Sequence, residues 1–309
     1  MRNCSAIALV ILQITACYVG VSSDARSQTI ENKDVYMIAN QLADEVELIR
    51  EVMGRPYDDS PRLPVAGITT FELFFQAQTL FYKSNQLAHE ISGVDQMAAS
   101  AAPYGEIDAA DIHEVVSDAL EQIRLVKDTL RIDEESLVAR RETPMPTTGV
   151  FSVILDASRQ LNVLLSKPIS PADVFEQVTF AVIDLAGILA SQIGDTSTPL
   201  STFEGHKRSA DVYRRLLECI DIVAEVAPRV GIGVLSLSSR RNVPDNVEPG
   251  HAYDIAKILV ADIALLADAL EAQEVYPDLG DTPEHIFPSQ VFERAGMLKA
   301  QLETLEASL

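Results

Sequence analysis

The side chains best suited to metal or nucleophilic chemistry are five histidines, His89, His113, His206, His251 and His285, together with Cys219. Their spacing decides what they could do. A zincin needs two His four residues apart on a helix with a Glu beside the first, and no such pair occurs. A di-iron bundle needs Glu-x-x-His on two inward-facing helices. The one Glu-x-x-His here, Glu248-Pro249-Gly250-His251, carries Pro and Gly and reads as linker. Asp278, Asp281, Glu284 and His285 supply cation-binding atoms but not the twelve-residue EF-hand pattern, so a solvated loop is expected. Gly231-Ile232-Gly233 does not follow a strand, as a phosphate cradle must. Cys219 falls on an apolar stripe and reads as a small core residue. No catalytic, cofactor-binding or metal-binding residue is expected, and the chain reads as a non-enzyme.

Aromatic residues are the other unusual feature. Phe71, Phe74, Phe75, Phe81 and Tyr82 place five of the chain's eighteen aromatics within twelve positions. On a helix Phe74 and Phe81 share one side, whereas Phe71, Phe75 and Tyr82 lie on another. Two readings follow for those three residues. Either a second helical unit covers them, or they form a ligand or partner surface.

The elements that carry these residues are visible as a repeat. A three-residue phrase recurs: Asp34-Val35-Tyr36, Glu72-Leu73-Phe74, Asp111-Ile112-His113, Gly149-Val150-Phe151, Asp173-Val174-Phe175, Asp211-Val212-Tyr213, His251-Ala252-Tyr253 and Gln290-Val291-Phe292. Its third residue is aromatic or His each time, which makes His113 the occupant of an aromatic slot. Steps of 38–40 residues separate the phrases, except one of 24 between Phe151 and Phe175. Each phrase opens a stripe spaced 4, 3, 4, 3, such as Val35, Ala39, Leu42, Val46, Ile49. Thirty-nine of the forty stripe positions are apolar, Ser84 being the exception. This period places each stripe on one face of an α-helix. Eight helices are predicted, near 33–53, 70–92, 109–131, 147–166, 171–193, 208–228, 251–273 and 288–308. Ser170, followed by Pro171 and by Asp173 three residues on, is an N-cap signature, and Thr147, Ser209 and Ser289 lie near other starts. No segment alternates as a strand would.

The single short step divides the chain into two sets of four helices. The expected architecture is all-α: two duplicated four-helix units, residues 30–168 and 169–309, with an α-solenoid of helical hairpins as the alternative. Most linkers are long enough to cross a helix, so neighbours in sequence can run parallel or antiparallel. Lys167–Ser170 is the exception and forces a reversal. The stripes carry no inward carboxylate or His of the kind a bundle enzyme uses.

Residues 1–25 contain Arg2, an apolar stretch from Cys4 to Val21 and no acid before Asp24, the pattern of a secretory signal peptide. Ile14-Thr15-Ala16-Cys17 also fits a bacterial lipobox, which would lipidate Cys17, and an uncleaved anchor is a third possibility. The net charge of −22 opposes binding to nucleic acid or anionic lipid. Membrane contact is therefore expected only through the N-terminal lipid or anchor. The resulting expectation is an exported, periplasmic or extracellular, acidic helical-repeat protein that binds or scaffolds a protein partner in the cell envelope. The alternative is a small-ligand or cofactor carrier with an aromatic-lined pocket. Mass spectrometry of the mature protein should show loss of residues 1–25. If Cys17 is the lipidation site, Cys17→Ser should instead release a membrane-bound form.

Overall fold

The computed structural model describes residues 29–59, 63–98, 106–134, 136, 143–166, 168–194, 201–237 and 246–309. The signal segment and Cys17 lie outside the described residues. Among the described residues eight helices are present: α1 (Asn32–Val52), α2 (Thr70–Ser92), α3 (Ala109–Leu130), α4 (Thr147–Leu164), α5 (Pro171–Ile193), α6 (Ser209–Val226), α7 (Pro249–Ala269) and α8 (Pro288–Ser308). A 3-10 turn, Ala227–Val230, extends α6. All forty stripe positions are at most 2 % exposed. Ser84 fits among them because its hydroxyl donates to the Leu80 carbonyl one turn back, at 2.9 Å.

The repeated phrase marks the first turn of each helix. Its first residue is N3, and in seven helices the N3 side chain accepts the N–H of the N-cap. Asp34 serves Glu31, Glu72 serves Thr69, Asp111 serves Asp108, Asp173 serves Ser170, Asp211 serves Arg208, His251 serves Glu248 and Gln290 serves Phe287. The exception explains itself. The N-cap of α4 is Pro146, which has no N–H to satisfy, and its N3 residue is Gly149. The second residue of each phrase is the first core layer. The structure corrects two details here. Thr147, Ser209 and Ser289 stand inside the first turn rather than at the N-cap, and the Glu248–His251 segment opens α7 rather than lying in a linker.

The helices of each unit run parallel and in register. Asn32 donates to Thr147 at the starts of α1 and α4, and Thr129 donates to Ser92 at the ends of α3 and α2. Pairs from α6 and α8 follow the same order, Arg215 with Phe292, Cys219 with Ala295, and Arg229 with Glu306. In the second unit the N1 and first-layer residues of all four helices meet: Pro171 and Val174, Ser209 and Val212, Pro249 and Ala252, Pro288 and Val291. They enclose about 10 Å³, roughly the room of one water.

Within the first unit α1 and α2 each pack against both α3 and α4, and within the second α5 and α6 each pack against both α7 and α8. The pairs α1/α2, α3/α4, α5/α6 and α7/α8 are therefore diagonal, whereas α2 lies beside α3 and α6 beside α7. Within each unit the packed neighbours run parallel, so they are not the antiparallel hairpins from which such a solenoid is stacked. The units meet through α2 and α7, which run antiparallel, with α4 adding contacts to α7. A ribbon too short to show alternation also joins them. In it β1 (Val65–Ala66), from the connection before α2, pairs antiparallel with β2 (Ser236–Leu237), from the connection before α7.

Two glycines mark places where chain passes close to a helix. A side chain at Gly187 of α5 would strike the Gln273 carbonyl of the connection after α7, and one at Gly250 would strike Asn162 of α4. Helix α5 is long and apolar enough to cross a membrane, yet 61 % of its apolar window is buried inside the fold. Its apolarity matches its packing against α7 and α8.

Leu161→Ala should cost about 2–5 kcal/mol, because it opens a cavity in a closed core layer. Urea unfolding followed by circular dichroism measures it. A loss within about 0.5 kcal/mol, the range of surface changes, would mean that the layer is not close-packed.

Candidate functional site

One stripe per helix suffices to close a four-helix bundle. Helix α2 has a second buried stripe, displaced one residue from the first: Glu72, Gln76, Thr79 and Lys83 shadow Leu73, Ala77, Leu80 and Ser84. One residue turns a helix face by about 100°, so this stripe looks out of its own bundle. All four of its residues are at most 1 % exposed, because the second bundle lies on them. Asp254 and Asp262 of α7 are buried opposite, with Ser158, Arg159, Gln160 and Asn162 of α4 beside them.

The constellation has three parts. Lys83 Nζ donates to Asp254 Oδ1 at 2.7 Å, to Ser158 Oγ at 2.8 Å and to the Ser158 carbonyl at 3.4 Å. Three acceptors match the three protons of an ammonium. Burial pushes the Lys83 pKa down, while the Asp254 carboxylate pulls it back up. In the second part, Gln160 takes the Asp58 N–H and donates to the Asp58 carbonyl, at 3.1 and 2.9 Å, and so pins the connection before α2 onto α4. The Asp58 carboxylate then meets His251 Nε2 at 2.9 Å. His251 Nδ1 already accepts the Glu248 N–H, so the ring proton belongs on Nε2 and is donated to Asp58. In the third part, Glu72 accepts the Leu235 N–H from the second unit and the Thr69 N–H and hydroxyl from its own. Asp262 faces that same Glu72 carboxyl.

Serine beside lysine and histidine beside aspartate are the components of nucleophilic and acid–base chemistry. Here Ser158 and Lys83 are wholly buried and His251 nearly so. Each part draws its members from both bundles, and in each one contact crosses between them: Lys83 to Asp254, His251 to Asp58, and Leu235 to Glu72. Among the described residues, no cluster of three or more His, Cys, Asp or Glu side chains could hold a metal ion.

The residues singled out in the sequence lie next to this junction rather than within it. Phe71 and Phe75 are half-buried, with ring centroids 4.9 Å apart, and Phe75 sets its ring edge against Phe74 at 5.9 Å. Tyr82 is 44 % exposed. Burial raises its pKa, and so do Asp173 and Glu176 at the start of α5. The second bundle thus covers the polar stripe of α2 and leaves the aromatic edge partly open. Cys219 is buried, and desolvation pushes its thiol up to about 12, which makes it a core residue and not a nucleophile. His113 stands in its slot half-buried, its ring 3.3 Å from the Ser117 hydroxyl.

The polar junction was missed because only the apolar stripe of each helix was followed. The available signal was on α2: polar residues repeating at the same 4, 3, 4 spacing as the core, with an acid at one end and a lysine at the other. Comparison with protein-family models, with curated proteins and with solved structures finds no match.

Removing one partner of a buried ion pair leaves the other uncompensated and costs about 3–5 kcal/mol. Lys83→Met should therefore destabilise by about that amount in urea unfolding. Adding Asp254→Leu should restore most of the loss. A single variant as stable as the parent would show that the pair does not tie the bundles.

Proposed function

We propose that this chain is an exported, non-catalytic helical-repeat protein of the cell envelope that binds or scaffolds a protein partner. The observation that supports this reading is the use made of the ionisable groups. Lys83, Asp254, His251, Asp58, Glu72 and Asp262 are buried or nearly so at the junction of the two bundles, and contacts among them and their neighbours tie one bundle to the other. The signal-like residues 1–25 support export, and the net charge of −22 disfavours nucleic acid and anionic membrane as partners. The two bundles share one order of neighbours and one register, and we infer that they arose by duplication of a four-helix unit.

The partner surface proposed is the open edge of α2, formed by Phe71, Phe75 and Tyr82. Aromatic side chains offer large contact area at low entropic cost and are enriched at protein interfaces. Co-purification from the native host tests this. The chain should retain a specific envelope protein, and Phe71→Ala with Tyr82→Ala should reduce its recovery at least about tenfold, the effect of losing 1.4 kcal/mol of binding. Undiminished recovery by a folded double variant would exclude this edge as the docking surface.

A further inference from the structure

The aromatic edge of α2 has a wall opposite it. Helices α2 and α5 each pack against α7 and not closely against each other. A strip of α7 remains partly open beside them. Tyr253 closes its floor at 7 % exposed, while Lys257 and Val260, one and two turns further on, are half-buried. Both flanking helices reach this strip. Burial raises the Tyr253 hydroxyl, and Tyr82 of α2 adds to the rise together with Asp173 and Glu176 of α5. Burial lowers the Lys257 ammonium, and Glu176 opposes that. The result is a groove with α7 as its floor, the Phe75 and Tyr82 side of α2 as one wall and the Glu176 side of α5 as the other.

We propose that this groove seats an amphipathic helix of a partner protein, apolar on the face toward α7 and bearing lysine or arginine along the edge toward α5. The inference rests on the α2 edge being the docking surface, and adds its second wall and the chemistry of the occupant. Shape favours a helix. Phe71 to Tyr82 on one wall and Asp173 to Asp184 on the other each rise through about three turns, roughly 16 Å, the span of the i, i+4, i+7 anchors of a helix laid in a groove. Tyr82 is 44 % exposed on one wall and Phe180 46 % exposed on the other, aromatic area of the kind that anchors protein contacts. Charge selects the occupant. Glu176, Phe180 and Asp184 follow at four-residue steps and share a face of α5. Burial raises the Asp184 carboxyl, and among the described residues no charged group acts on it. Glu176 is exposed beside Lys257, and Asp173 is held by the Ser170 N–H and hydroxyl. Three carboxylates thus stand against one ammonium, on a chain of net charge −22. A lysine or arginine laid along this wall compensates them, whereas an acidic partner is repelled.

The test titrates the full chain into a fluorescent peptide of about 18 residues, long enough to form a helix, with Leu at helical spacing on one face and Lys elsewhere. A shuffled peptide of the same composition keeps the charge and lacks the apolar face. Fluorescence anisotropy should show the ordered peptide bound at least about tenfold more tightly than the shuffled one. Phe180→Ala should weaken the ordered peptide at least about tenfold. Glu176→Gln with Asp184→Asn should weaken it as well and flatten its dependence on salt. Glu114→Gln with Glu121→Gln, exposed on α3, should leave it unaltered. All these side chains are exposed or half-buried, so circular dichroism and urea midpoints should match the parent. Equal binding of the two peptides, or equal losses from the α3 and α5 variants, would show a general attraction of opposite charges and overturn the proposal. So would a peptide-free chain that sediments as a dimer and becomes monomeric on Phe180→Ala, which gives the groove to a second copy. The α5 variants also separate this inference from the reading beneath it. An envelope partner lost with the α2 variants but kept by Phe180→Ala leaves the α2 edge a docking surface and removes the groove.

Discussion

Each bundle depends on its four helices beginning at the same end and in the same register. A parallel arrangement brings first layer against first layer, so one sequence phrase can serve every helix around the bundle. It also gathers four helix N-termini at one end, each equivalent to about half a positive charge. The side-chain acceptor at N3 answers both demands. It satisfies the N-cap N–H that the helix leaves open, and in five of the eight helices it is an acid, Asp34, Glu72, Asp111, Asp173 or Asp211, whose charge suits the positive end of the dipole. That α4 alone does without, behind a proline N-cap, shows that the N3 side chain answers the chemistry of the preceding residue. The connections follow from the same arrangement. Parallel neighbours cannot be joined by tight turns, so the chain must return the full length of a helix between each pair. The short link between α4 and α5 is where it does not return, and there the second bundle runs back antiparallel to the first.

The aromatic residue that follows the first core layer shows one position in two uses. In the second bundle it meets a cation each time. Phe175 lies under Arg294 and Phe292 under Arg215 and Lys207, and all of these belong to that bundle. Tyr213 bonds to Arg159, and Tyr253 lies 6.0 Å from the Lys83 ammonium, so these two rings reach cations of the first bundle instead. The same slot therefore seals the inside of one unit and also helps receive the other.

The junction is built from charges where most domain contacts use apolar surface. A buried ion pair is a poor source of net stability, since desolvation opposes the Coulomb gain, but breaking one is costly. Such a contact selects orientation. With Lys83 late in α2 against Asp254 early in α7, and Glu72 early in α2 taking the Leu235 N–H, a parallel or shifted docking would bury each charge without its partner. The polar stripe therefore fixes how the bundles sit, while the apolar stripes hold each bundle together.

The eight helices, the forty core positions and the grouping in fours were legible in the sequence because burial of one helix face imposes a 3.5-residue period that no other constraint mimics. The capping role of Asp173 was legible beside Ser170, but that of Asp34, Glu72, Asp111, Asp211, His251 and Gln290 was not, because an N3 acceptor without such an N-cap shows itself only when the N-cap backbone turns toward it. Only the tertiary structure decided the parallel course of the helices, since a stripe is the same read toward either end of a bundle and the linkers were long enough for both. It alone decided which outer face of α2 is covered. By composition the aromatic edge of Phe71, Phe75 and Tyr82 was the better candidate for burial than the polar residues Glu72 and Lys83. What reversed this was partners more than 160 positions away in the chain, Asp254 for Lys83 and Leu235 for Glu72, whose approach makes burying those charges tolerable and which no local pattern could announce.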